Sequence, residues 1–146
     1  MRNCTLEKMV IKQMRRGLMR KNDRTAYIDS MREIDIHKML VHPNIVRLYE
    51  VIDDVNEDKV YLAMEYAEQG RIMTHDTVTN TFRFMGRPDY EMPEKDIRKY
   101  AQQILQGLVY LHKKKVMHLD LKPQNILLDA EGKVKIADFG TSAIFY

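Results

Sequence analysis

The stretch 117–140, reading MHLDLKPQNILLDAEGKVKIADFG, constrains this chain more than any other. Ile126-Leu-Leu128 and the alternating Val134-Lys-Ile136 flank Asp129-Ala-Glu-Gly132, so two apolar runs of strand length bracket a segment of turn residues. The expected order is loop, short strand, tight turn, short strand. Asp120, Lys122 and Asn125 fall within the loop, and Asp138, Phe139 and Gly140 follow the second strand. Such a hairpin lets the Asn125 amide and the Asp138 carboxylate converge on one point, the oxygen donors a hard cation such as Mg2+ requires. Asp120 is expected to stand apart from that pair.

Length and composition bound the rest. With 146 residues, 45% of them hydrophobic, the chain can bury the core of one ordinary domain. Lys plus Arg number 24 and Asp plus Glu 21, a net charge of +3 that argues for neither nucleic acid nor an acidic membrane as partner. A single cysteine, Cys4, rules out an internal disulfide and fits a reducing compartment. No apolar run is long enough to cross a bilayer, and the first residues lack the apolar core of a signal peptide. The reading is a soluble, intracellular, cytoplasmic protein.

Along the chain, Met9-Val-Ile-Lys12 is a short apolar strand closed by a lysine. Residues 31–40 read as a helix, with Ile36, Met39 and Leu40 at helical spacing and Glu33 on it. The basic residues between, Arg15, Arg16, Arg20, Lys21 and Arg24, lack interleaved aromatics and read as a solvated connection. Residues 45–52 and 59–66 form an expected antiparallel pair around a polar turn at 53–58. Residues 70–92, with little periodicity and a Gly86-Arg-Pro88 break, read as a surface insertion, and His75 with Asp76 as exposed loop instead of metal ligands. Pro93 is placed at the first helical position of a long amphipathic helix whose apolar face is Ile97, Tyr100, Ala101, Ile104, Leu105, Leu108 and Leu111. His112-Lys-Lys-Lys115 complements its C-terminal dipole.

His118-Leu119-Asp120-Leu121-Lys122-Pro123-Gln124-Asn125, followed by Asp138-Phe139-Gly140, resembles the H-R-D-x-K-x-x-N and D-F-G motifs of eukaryotic protein kinases, an established template for phosphoryl transfer. Asp-Leu-Lys-Pro is similar to the serine/threonine branch. The resemblance implies an α+β, two-lobed fold, here partial: antiparallel strands and one helix of a small lobe, then the start of a mostly helical lobe. It divides the chain into an incomplete small lobe (1–66), a hinge and insertion (67–92) and the start of the large lobe (93–146). It implies ATP and Mg2+ as cofactors and a protein substrate, which could itself be a kinase. Asp120 would take or orient the substrate hydroxyl proton, Lys122 would neutralise the transferring phosphoryl group, and Asn125 with Asp138 would hold Mg2+. Lys12, paired with Glu33, would contact the phosphates; Met64 would be the gatekeeper; the backbones of Glu65 and Ala67 would meet the adenine edge, and Val10 and Leu127 its faces.

The wording of 51–58 and of Glu68-Gln-Gly70 is similar to the calcium/calmodulin-dependent protein kinase kinases, which raises calmodulin as a partner that these residues do not themselves specify. Three departures accompany the resemblance. No glycine-rich loop precedes Met9; the sequence ends at Tyr146 before an activation segment, so a fragment truncated at both ends is expected; and Leu119 replaces an arginine that pairs with phosphorylated activation loops. His37 stands where the family packs an apolar residue beside Phe139, His118 and Leu48, and reads as a satisfied core histidine. The alternative to a kinase is a catalytically inactive, pseudokinase-like interaction module.

Overall fold

A computed structural model of the chain describes residues 8–15, 24–54, 59–84 and 91–146. The architecture is α+β, with small antiparallel sheets and two helices among the described residues. The order is β1 (Met9–Arg15), α1 (Arg24–Lys38), β2 (Leu48–Asp54), β3 (Lys59–Glu65), β4 (Gly70–Arg71), β5 (Met73–Asp76), β6 (Thr81–Phe84), α2 (Glu94–Lys113), β7 (Val116–Met117), a single 3-10 turn (Pro123–Asn125), β8 (Ile126–Leu128), β9 (Val134–Ile136) and β10 (Ala143–Ile144). No helix of the described residues is long and apolar enough to cross a membrane.

The sheet β1-β3-β2, with α1 beside it, forms the roof of a cleft. Ile34 of α1 buries against Val60 and Leu62 of β3. In the β1–β3 register Val10 faces Met64 and Lys12 faces Leu62, and alternation along β1 turns Val10 and Lys12 to the same side. The sheet β4-β8-β9 forms the floor. Ile126 pairs with Ile136 and Leu128 with Val134, and all four point into the main core with Leu111, Val116 and Phe139. The β8–β9 turn is closed by Asp129, whose Oδ1 accepts the N–H groups of Glu131 (3.0 Å) and Lys133 (2.8 Å). Gly132 supplies the positive φ of 73° that the turn requires.

α2 crosses beneath the floor at Gly107, where an added Cβ would lie 2.7 Å from Ile136 Cδ1 and 3.3 Å from the Asn44 carbonyl oxygen. Asn44, buried after α1, donates from Nδ2 to the Val134 carbonyl (3.0 Å) and to Gln103 Oε1 (3.3 Å), which itself accepts the Val134 N–H (2.8 Å). This network joins helix, floor and the segment entering the roof.

Several expectations are revised. The first run of the 45–52/59–66 pair starts as a strand only at Leu48, because Ile45 makes a parallel bridge to Ile136 and Val46 donates to the Ile136 carbonyl (2.9 Å). α1 begins at Arg24, ahead of its apolar spacing. Pro93 is the N-cap of α2, one place earlier than expected, its carbonyl accepting from Asp96 and Ile97. On α2, Tyr100, Ile104, Leu108 and Leu111 pack on the core, but Ile97 (52%) and Leu105 (60%) are exposed, as is Ala101: the apolar stripe is wider than the floor that covers it. Residues 70–84 are not a plain loop. β4 adds to β8, and β5 pairs with β6 around a turn in which Asp76 Oδ1 accepts from Val78 and Thr79, while Ile72 and Phe84 are buried. Strands this short show no readable alternation. Cys4, Arg16, Arg20, Lys21, the centre of the 53–58 turn and Gly86-Arg-Pro88 lie outside the described residues.

Candidate active site

Between roof and floor lies a cleft of about 460 Å³. Val10, Lys12, Met64, Glu65 and Ala67 line it from above and from its closed edge, Glu33 and His37 from α1, and Arg71, Leu127 and Asp138 from below. Its walls are mostly apolar, with charge concentrated at the end where Lys12, Glu33 and Asp138 meet. Lys12 Nζ lies 3.1 Å from Glu33 Oε1. An added Cβ at Gly140 would meet Asp138 Oδ1 at 3.3 Å and Glu33 Oε2 at 3.5 Å, so the ion pair sits directly over the Asp138-Phe139-Gly140 turn.

The residues of the 118–125 loop are held by backbone and ring contacts. Asp120 N–H donates to His118 Nδ1 (3.3 Å), and His118 Nε2–H donates to the Ala137 carbonyl (2.9 Å), which selects the Nε2–H tautomer. Thr141 Oγ1 donates to the His118 carbonyl (3.2 Å), and β10 pairs with β7, so the segment after Gly140 is laced back to the strand before the loop. Leu119, 63% exposed, and Asp138 both adopt a φ of 64°. Non-glycine residues in that region cost about 1–3 kcal/mol each and persist where their surroundings fix them.

One expectation is corrected outright: Asp120 does not stand apart from Asn125. Asn125 Nδ2 donates to the Asp120 carbonyl (2.8 Å) and to its Oδ2 (3.1 Å), because the 3-10 turn folds Asn125 back over the loop. Lys122 Nζ lies 2.7 Å from the same Oδ2. The Lys122 hydrogen bond, chiefly, holds the Asp120 carboxyl below its ordinary pKa, with the Asn125 amide adding to it. Asn125 is also tied to the end of β9, since its carbonyl accepts the Ala137 N–H (2.9 Å) next to Asp138. Both donors of its amide point to Asp120, which leaves Oδ1 as an oxygen ligand. That amide oxygen and the Asp138 carboxylate suit a hard divalent cation. His75 instead bonds Asn80 and lies tilted against the Phe82 ring, and Asp76 pairs with Arg83.

Phe139 is buried between two imidazoles, 4.9 Å from His37 and 5.1 Å from His118 by ring centroids. His37 Nε2–H donates to the Val46 carbonyl (2.7 Å), so the core histidine is satisfied as expected; burial still pushes its pKa below 6.5.

Sequence reasoning gave no role to three residues that pack behind the cleft. Gly107 and Asn44 carry no local pattern signal. Lys135 alternates with Val134 and Ile136 and so reads as solvated, yet it is buried. The register offers the missing signal: Arg71, Leu127 and Lys135 are cross-strand partners, one row on the upper face of the floor.

The protein kinase domain model matches residues 1–146. A probable serine/threonine-protein kinase of Dictyostelium discoideum is 44% identical over 138 residues, 94% of this chain and 17% of the relative. The serine/threonine-protein kinase GRIK2 of Arabidopsis thaliana is 43% identical over 122 residues (83% and 27%), and a calcium/calmodulin-dependent protein kinase kinase of Caenorhabditis elegans 42% over 114 residues (78% and 19%). The chain belongs to the protein kinase family, in its serine/threonine class. It spans 17% and 27% of the length of the first two of these curated relatives.

Proposed function

We propose that this chain carries the nucleotide cleft and catalytic loop of an ATP- and Mg2+-dependent protein serine/threonine kinase. The observation that carries the reading is that one cleft is lined together by Val10, Lys12, Glu33, Met64, Glu65, Ala67, Leu127 and Asp138. In this reading 1–66 belong to a small lobe, 67–92 to the hinge and an insertion, and 93–146 to the start of a large lobe. Val10 and Leu127 sandwich the purine, with Met64 behind it and the backbones of Glu65 and Ala67 along its edge. Lys12, steadied by Glu33, holds phosphate oxygens. Asn125 Oδ1 and the Asp138 carboxylate would hold Mg2+, which when bound neutralises charge on the phosphates.

The substrate hydroxyl oxygen bonds to the γ-phosphorus as the bond to the β–γ bridging oxygen breaks, and ADP departs. Asp120 accepts the hydroxyl proton. Its lowered pKa in the Lys122 pair makes it a weak base, so Lys122 acts by turning from Asp120 to the transferring phosphoryl group, which frees the carboxylate as it neutralises the phosphate. The protein substrate presents a serine or threonine hydroxyl and belongs to the class that includes other kinases.

Calorimetric titration of the chain with ATP and Mg2+, with Asp138→Asn as control, tests this. Saturable, metal-dependent binding that the variant loses is the expected result. A folded chain that binds no ATP supports the interaction-module reading instead, which the exposed groove along α2 lined by His42, Leu105, Val109 and Tyr110 favours.

A further inference from the structure

A buried lysine demands an explanation. Lys135 retains 7% of its exposure, although lysine is rarely buried unless paired. Its place follows from the register: Leu127, which lines the cleft, has Lys135 as its cross-strand partner, so the lysine stem lies on the same upper face, one strand outside the cleft lining and beside a neighbouring surface pocket with Tyr66 and Asp129. There its Nζ meets Glu65 Oε1 at 2.5 Å, with Asp129 Oδ2 at 3.9 Å. Glu65 is the last residue of β3, and its other oxygen, Oε2, accepts the Arg47 N–H (3.1 Å). Its own backbone N–H donates to the Arg47 carbonyl (2.8 Å). Side chain and backbone of Glu65 are thus gripped from two directions, by the floor through Lys135 and by the roof through Arg47.

An ion pair this dry is a poor source of stability, because desolvating both charges offsets most of their attraction. What it supplies is direction: a charge-assisted bond of fixed length between floor and strand end. Immediately beyond Glu65 come Tyr66 and Ala67, the edge of the cleft.

We propose that Lys135 is a positioning residue for the nucleotide, acting through Glu65 to set the separation of floor and strand edge where the purine enters. The inference rests on the nucleotide reading above and deepens it. Lys135 touches no ligand; removing its charge frees Glu65 to rotate and lets the edge drift from Leu127.

The test is calorimetry on the 146-residue chain with two probes, adenosine and ATP with Mg2+. Lys135→Met is expected to weaken both by the same factor, roughly tenfold, since only the purine end is disturbed and misplacements of about 1 Å carry effects of that order or more. Lys135→Arg retains most of the affinity, and Glu65→Gln, isosteric and still able to accept from Arg47, reproduces the loss. The double variant Lys135→Met, Glu65→Gln is no worse than either alone. Variants that melt earlier but bind adenosine as the parent does would overturn the positioning role and leave the nucleotide reading standing. A parent chain that binds neither probe would overturn both. Should Lys135→Met fail to fold, Glu65→Gln decides, and unchanged adenosine affinity there refutes the proposal.

Discussion

The floor of the cleft buries Ile126, Leu128, Val134, Ile136 and Phe139 in one cluster with α2, with Met73 and Met92 at its margin, whereas the smaller roof cluster closes over Ile34, Val60 and Leu62 with Met14, Met31 and Met64 beside Leu48 and Val51 as partly buried companions. Branched aliphatics and an aromatic have few rotamers and interlock; methionines bend to fill whatever space is left. The floor also has its polar groups committed, through Asn44, Gln103 and the Asp129 turn. The roof brings charge to the site through the Lys12–Glu33 ion pair, whose lysine is half-exposed and whose glutamate is mostly buried. The difference teaches that the cleft has one side packed by stiff side chains, which carries the 118–125 loop, and one side filled in part by more flexible ones.

Truncation on the two sides should break this comparison or uphold it. Ile136→Ala is expected to destabilise the chain by about 3–5 kcal/mol, since the interlocked floor cannot collapse into the cavity. Leu62→Ala is expected nearer 2 kcal/mol (about), because methionines can refill the space. Urea midpoints measure both, and equal losses would abolish the distinction. A smaller effect sharpens it: Gly107→Val should cost about 1–3 kcal/mol by overpacking against Ile136 Cδ1. Combining it with Ile136→Val, which removes that methyl, should give a loss smaller than the sum of the two single changes.

The smallest effect is a slope in stability with pH. His37 is held neutral by burial, with its pKa lowered from 6.5, so the unfolded chain binds more protons just below that value. Its contribution is therefore complete above pH 6.5 and declines as pH falls through the window beneath. His42, also lowered by burial, adds a second component. His37→Leu should flatten the slope of urea midpoint against pH between 5 and 7 (roughly) while leaving the His42 part; an unchanged slope would show that His37 is not its source.

How much of this could be read from residue order depends on distance along the chain. The β8–β9 hairpin and its Asp129 turn are legible because everything that builds them lies within one short stretch. The Asp120–Asn125 bond was missed because spacing shows which residues share a loop but not how a 3-10 turn folds one over another. Lys135 was illegible for the opposite reason. Alternation assigns it to solvent, and the carboxylate that overrides alternation sits 70 positions earlier, at Glu65. The β5–β6 hairpin hid because each of its strands is four residues long, at the lower limit of a readable alternation, and Ile72, Met73 and Phe84 anchor it without a regular spacing.

Glu33 and His37 lie one turn apart on α1 and project from the same side of it. The first holds the roof's lysine; the second lies tilted against Phe139, whose ring also meets His118 of the 118–125 loop edge-on. Rolling α1 about its long axis therefore withdraws both at once. In the proposed reading, one motion of this helix would therefore change the Lys12–Glu33 contact and the packing of Phe139 against His118 together.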